Sequence, residues 1–129
     1  MVDYKDATNV LERFISEVHE YKRLNQPEEI KQYKELLSKE TMGTVYRNDQ
    51  VYYEKLSSFK SKYYTFRGVF LKIKSENTDR VISRHLETTL DRIEEQIKVL
   101  DSEMTVARSR LKFYENIIFM VSNVSYGAY

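Results

Sequence analysis

Residues 86–121, LETTLDRIEEQIKVLDSEMTVARSRLKFYENIIFMV, carry apolar side chains at strictly alternating spacings of four and three residues. The same alternation occurs in residues 52–73. This period keeps one apolar stripe of a helix facing a partner helix over many turns, which is the pattern of a coiled coil. We call the two stripes together the seam; its residues are Tyr52, Leu56, Phe59, Tyr63, Phe66, Phe70 and Ile73, then Leu86, Leu90, Ile93, Ile97, Leu100, Met104, Ala107, Leu111, Tyr114, Ile118 and Val121.

Composition supports a small helical protein. The 129 residues contain one proline, three glycines and no cysteine. We therefore predict a single all-α domain over residues 1–129, without disulfides or thiolate metal sites, in a reducing compartment. No apolar run approaches the roughly 18 residues that span a bilayer, and the charged N-terminus lacks the apolar stretch of a signal peptide. We expect no membrane partner and a cytoplasmic location, in the host cell if the protein is viral.

Capping residues and apolar periodicity divide the chain into helices. Residues 39–47 are predicted to form a loop, and Asn48 or Asp49 is the expected cap of the helix that follows it. Alternation of apolar and charged residues leaves a short strand over 69–74 as an alternative. The predicted helices span residues 6–25, 27–38, 49–74 and 79–124.

The two seam stretches match each other in one antiparallel register. Folding them together about Thr78 brings every seam residue of residues 52–70 opposite an apolar seam residue of the other stretch, from Leu86 to Met104. We therefore predict a long antiparallel helical hairpin, coiled-coil-like in its packing. The same register brings opposite charges to its flanks, pairing Arg67 with Glu87, Lys60 with Glu94 and Lys55 with Glu103.

The predicted last helix extends several turns past the start of the third, and this overhang is the most apolar part of the chain. A helix that is apolar nearly all round must be buried nearly all round. The shorter helices carry narrow apolar stripes, so we expect a second copy of the chain or a helical partner protein to cover the overhang. A four-helix bundle that closes on itself is the alternative. The predicted interface comprises Leu111, Phe113, Tyr114, Ile117, Ile118, Met120 and Val121.

Little in the sequence indicates catalysis. The two histidines, His19 and His85, lie on different predicted helices, and neither has the spacing of a metal-ligand motif. The three glycines form no phosphate-binding loop. We therefore predict a protein that is not an enzyme, with no catalytic residue, no metal and no cofactor.

Charge is concentrated in one stretch. Residues 54–74 contain six basic residues and one acid, a net charge of about +5, whereas the whole chain carries +1. Aromatic residues interleave with these cations, and this composition is typical of surfaces that bind single-stranded nucleic acid. The alternative is that the cations serve only the charge pairs of the hairpin. The candidate nucleic-acid-binding residues are Lys62, Tyr64, Arg67, Lys72 and Lys74.

Two segments resemble phage recombination mediators of the UvsY type. The run KSKYYTFRG at residues 60–68 is similar to the Lys-x-Lys-Tyr-x-x-aromatic-basic-Gly segment of that family, and RLKFYENII at residues 110–118 is similar to an apolar helix in its C-terminal half. The resemblance implies a small helical protein that assembles into rings, binds single-stranded DNA and helps to load a recombinase onto it.

Two classes of function follow from these observations. In the first, the protein is an oligomeric mediator of DNA recombination in which Lys62, Arg67, Lys72 and Lys74 hold phosphates and Tyr64 stacks on a base. In the second, it is a structural, scaffold or chaperone-like coiled-coil subunit of a larger assembly, such as a virion or a secretion apparatus, and the apolar end of the last helix is the docking surface.

Overall fold

A computed structural model describes residues 3–27 and 39–127 of the chain. In the second range, side chains are described for residues 42–120. These residues form three helices and no strand: α1 (Tyr4–Leu24), α2 (Lys39–Glu76) and α3 (Arg80–Gly127). The prediction of an all-α protein is confirmed. A helix was also predicted over residues 27–38. Residues 28–38 of that segment lie outside the described residues.

α2 begins ten residues earlier than predicted. The loop predicted for residues 39–47 is wrong, as is the alternative strand over 69–74, because both segments are helical. The reason is that the seam continues toward the N-terminus through Asp49, Val45 and Met42, with the same alternation of three and four residues. Asp49 and Met42 are both buried, so Asp49 occupies a seam position and does not cap the helix.

A three-residue turn joins α2 to α3. The Asp79 carboxylate accepts a hydrogen bond from the backbone N–H of Val81 at 2.9 Å, which caps α3. The Asn77 side-chain oxygen accepts a hydrogen bond from the backbone N–H of Asp79 at 3.3 Å, and this bond closes the turn. α3 therefore returns alongside α2 in the opposite direction.

The core lies between α2 and α3 and beneath α1. Every seam residue whose side chain is described is buried or partly buried. α1 contributes the buried residues Ala7, Leu11, Phe14, Ile15 and Val18 to the same core.

α1 runs antiparallel to α2. The Phe14 ring packs edge-on against Tyr63 with 4.8 Å between ring centroids, and two turns later Tyr21 stacks on Tyr52 at 6.0 Å. Ion pairs tie α1 to α3 at two heights, from Glu12 to Arg92 and from Lys22 to Glu103. Aromatic packing on one side and ion pairs on the other thus hold α1 along the α2–α3 pair.

The longer α2 accompanies α3 over much of the predicted overhang. Met42 and Tyr114 are buried together in a second, smaller apolar cluster, against which Val45, Ile117 and Ile118 pack. The overhang past the start of the partner helix is therefore shorter than predicted, because α2 supplies about ten more residues on that side.

Candidate functional site

Five contacts at intervals of seven residues line one side of the α2–α3 pair. We call them the ladder. Seven residues return a side chain to nearly the same face of a helix, so all five contacts lie along one flank. They join Tyr46 to Glu115, Tyr53 to Arg108, Lys60 to Asp101, Arg67 to Glu94 and Lys74 to Glu87.

The ladder corrects the predicted charge pairs. Arg67 pairs with Glu94 at 2.7 Å where Glu87 was expected, and Lys60 pairs with Asp101 where Glu94 was expected. Both acids lie seven residues further from the turn. Helical side chains lean toward the N-terminus of their own helix, so those of α2 lean away from the turn and those of α3 lean toward it. A cation on α2 therefore meets a carboxylate that lies further from the turn than itself.

The third predicted pair, between Lys55 and Glu103, is also wrong. Glu103 instead accepts a hydrogen bond from the Lys22 ammonium of α1 at 2.9 Å. The Lys55 ammonium lies 5.6 Å from the Tyr21 ring centroid and 5.1 Å from that of Phe59. The prediction matched only α2 with α3. It did not include α1, which occupies this flank and contacts both Lys55 and Glu103.

The five predicted nucleic-acid-binding residues do not share one surface. Arg67 and Lys74 are members of the ladder, and Lys74 lies 3.4 Å from Glu87. Exposed Tyr64 lies on the same flank, with the ammonium of Lys60, a ladder residue, 5.9 Å from its ring centroid. Lys62 lies on the opposite flank, against α1, and its ammonium is 5.5 Å from the Phe14 ring centroid. Lys72 is exposed.

Three cations on the α1 side of the α2–α3 pair have no carboxylate partner among the described residues. Lys55 and Lys62 are seven residues apart, both on the flank of α2 that faces α1, and neither forms an ion pair with a described residue. Arg13 of α1 is exposed and lies beside Lys62 in the groove between the two helices, likewise without an ion pair among the described residues. Arg13 was not predicted from the sequence, because it lies 49 positions before Lys62 and only the packing of α1 brings the two together.

A buried polar cluster interrupts the apolar seam. Asp49 is 1% exposed and accepts hydrogen bonds from Arg110, at 3.2 Å from Nε and 3.1 Å from Nη2. Burial, followed by the charge of Glu103, raises the pKa of Tyr52 to about 12. Burial and the nearby Asp49 carboxylate likewise raise the pKa of Tyr114. This cluster was not predicted from the sequence, although the seam spacing continued N-terminally from Tyr52 leads to Asp49.

The predicted interface residues fall into two groups. Tyr114, Ile117 and Ile118 pack against the N-terminal part of α2, and Leu111 is partly buried. Phe113 and Met120 are exposed on the surface of α3, and the side chain of Val121 lies outside the description. Only part of the predicted surface is therefore available to a partner.

The described residues contain no group of three or more His, Cys, Asp or Glu side chains that could hold a metal ion. Among the helices of the described residues, none contains an apolar stretch that could span a bilayer. No family model, curated protein or solved structure matches the chain.

Proposed function

We propose that this chain is a non-enzymatic helical protein that associates with copies of itself and binds single-stranded DNA, as a recombination mediator does. The observation that carries the DNA-binding part is the set of unpaired cations beside aromatic rings on the α1 side of α2. The likeness of residues 60–68 to UvsY-type mediators supports the same ligand.

The positive charge of α2 supports the binding of DNA even when the cations in ion pairs are set aside. Three of the six cations in residues 54–74 belong to the ladder, and the other three have no carboxylate partner among the described residues. The ammonium groups of two of these three, Lys55 and Lys62, lie over aromatic rings. Cations placed along the path of the nucleic-acid backbone, with aromatic rings nearby, are the usual components of a surface that binds single strands without sequence preference.

An exposed apolar stripe supports self-association. Val106, Phe113 and Met120 follow one another at intervals of seven residues on α3 and are 55%, 40% and 64% exposed. A stripe with this period can be followed by another helix over several turns. A second copy of the chain offers the same stripe, so the contact can be mutual, as in a two-fold dimer.

Fluorescence anisotropy of a labelled single-stranded oligonucleotide tests the DNA-binding part. We expect binding at low salt that weakens steeply as salt is added, because each neutralised phosphate releases counterions. Replacing Lys55 and Lys62 together with alanine should weaken binding and flatten the salt dependence. The matched control is Lys60→Ala with Lys74→Ala, which removes the same charge from the ladder. An absence of binding at low salt would refute the proposal.

A scaffold subunit is the second candidate, and the ladder favours it. The ladder engages three of the six cations of the basic stretch with carboxylates of the same chain. In this function the basic stretch sets the register of two helices and the exposed stripe of α3 docks into a larger assembly. A purified chain that self-associates and ignores DNA would favour this candidate.

A further inference from the structure

A groove between α1 and α2 combines an apolar floor with charged edges. Its volume is about 410 Å³, within the range of small-molecule sites. Phe14, Phe66 and Val69 supply apolar surface, and Phe66 stacks on Phe14 with 5.3 Å between ring centroids. Arg13, Glu17 and Lys62 supply the charged edges, and Val10 and Thr65 complete the lining.

The two cations that line the groove come from different helices, Arg13 from α1 and Lys62 from α2. Neither Arg13 nor Lys62 forms an ion pair with a described residue, although Glu17 lines the same groove. The groove thus carries two positive charges and one negative charge around aromatic and aliphatic surface. On the other flank of α2, by contrast, each cation of the ladder has a partner carboxylate or a tyrosine hydroxyl.

We infer that this groove binds a single strand of DNA. Arg13 and Lys62 contact consecutive phosphates, and one base lies against Phe66 and Val69. This inference rests on the proposed function and assigns its contact to a site that includes α1. Charge complementarity selects the occupant, since phosphates match the two cations and a base has the flat apolar face that the floor accepts. The Glu17 carboxylate repels a polyanion, so removing its charge is expected to increase the affinity for DNA.

The test compares three single variants of the full chain in the anisotropy assay. Arg13→Ala should weaken binding and lower the slope of log affinity against log salt by about 0.7, the value for one phosphate contact on a single strand. Glu17→Gln should strengthen binding, because it removes a negative charge from the path of the strand. Lys98→Ala, at an exposed position of α3, removes one positive charge outside the groove and should have a smaller effect than Arg13→Ala.

An oligonucleotide with abasic sites provides a second probe, because it keeps the phosphates and lacks the bases. The inference predicts weaker binding of this probe by the wild-type chain. Binding of the abasic and normal strands with equal affinity would overturn the inference, as would equal effects of Arg13→Ala and Lys98→Ala; both leave the proposed function standing. If the wild-type chain binds neither strand, the proposed function fails, and the inference fails with it. Arg13 and Glu17 are exposed, so circular dichroism should find both variants folded.

Discussion

Asp49 is a carboxylate in a seam that is otherwise apolar. Its partner Arg110 reaches both carboxylate oxygens through Nε, at 3.3 and 3.2 Å. Burying an ion pair carries a large desolvation cost, and a polar residue at a seam position acts mainly by allowing only the register in which its partner is met. We infer that this pair fixes the alignment of α2 with α3.

Removing one partner should therefore cost more than removing both. Asp49→Ala leaves Arg110 without its carboxylate and should lower the free energy of unfolding by at least about 2 kcal/mol. Asp49→Leu combined with Arg110→Met should recover most of that loss. Urea denaturation of the three proteins measures both effects. A single variant as stable as the wild type would show that the pair does not form.

Tyr63 is a second buried polar group, and its hydroxyl has no hydrogen-bond partner among the described residues. Tyr63→Phe removes this hydroxyl and should raise the free energy of unfolding by about 1 kcal/mol at neutral pH. Urea denaturation at pH 7 provides the measurement. A loss of stability would mean that the hydroxyl is hydrogen-bonded.

The same side chain predicts an alkaline limit to stability. Burial raises the pKa of Tyr63 to about 12, against about 10 in the unfolded chain. Between these values the folded state binds more protons than the unfolded state, so stability falls as pH rises, by up to about 1.4 kcal/mol per pH unit for each such tyrosine. Urea denaturation at pH 10 and 11 should show a smaller decline for Tyr63→Phe than for the wild type. Equal declines would contradict the assignment.

The extent of α2 was predictable from the sequence where its seam is apolar, and it was not predicted around the polar seam position Asp49. The seam of α2 is readable from Tyr52 to Ile73, because apolar spacing is a direct signature of a buried helix face. N-terminal to Tyr52, a carboxylate at Asp49 and a glycine at Gly43 resemble a cap and a loop. The spacing of Asp49, Val45 and Met42 continues the seam, and the burial of Asp49 against Arg110 shows that the helix continues with it.

The candidate site was predictable to a similar extent. Composition identified Lys62, but the partners of Arg67 and Lys74 depend on the lean of side chains between two helices, which spacing along the chain does not convey. Arg13 depends on how α1 packs, and no local pattern reports that.

The early start of α2 predicts the effect of a glycine substitution. No atom lies within 4 Å of a side-chain carbon built at Gly43, and the residue is helical. Gly43→Ala should therefore raise the free energy of unfolding by about 0.5–1 kcal/mol, since glycine loses more backbone entropy than alanine in a helix. Gly68→Ala, equally open and in the middle of α2, is the matched reference. An effect at Gly68 but none at Gly43 in thermal unfolding would indicate that α2 starts later.

α1 lies along only part of the α2–α3 pair. It ends at Leu24, and Val106 of α3 lies beside the residues that follow, Gln26 and Pro27. From Val106 the exposed stripe continues through Phe113 to Met120. Exposed apolar side chains that repeat at the coiled-coil period are typical of a surface that binds another helix.

Sedimentation velocity of the purified chain with a labelled single-stranded oligonucleotide tests self-association through this stripe and the binding of DNA at once. We predict that the wild type sediments as a multimer that carries the DNA. Val106→Asp should weaken assembly by at least about tenfold, the loss typical of an interface hot spot. Val81→Asp makes the same substitution at the other end of α3, where Val81 is 64% exposed, and should leave assembly unchanged. A wild-type chain that sediments as a monomer at every concentration and leaves the DNA free would contradict both self-association and DNA binding.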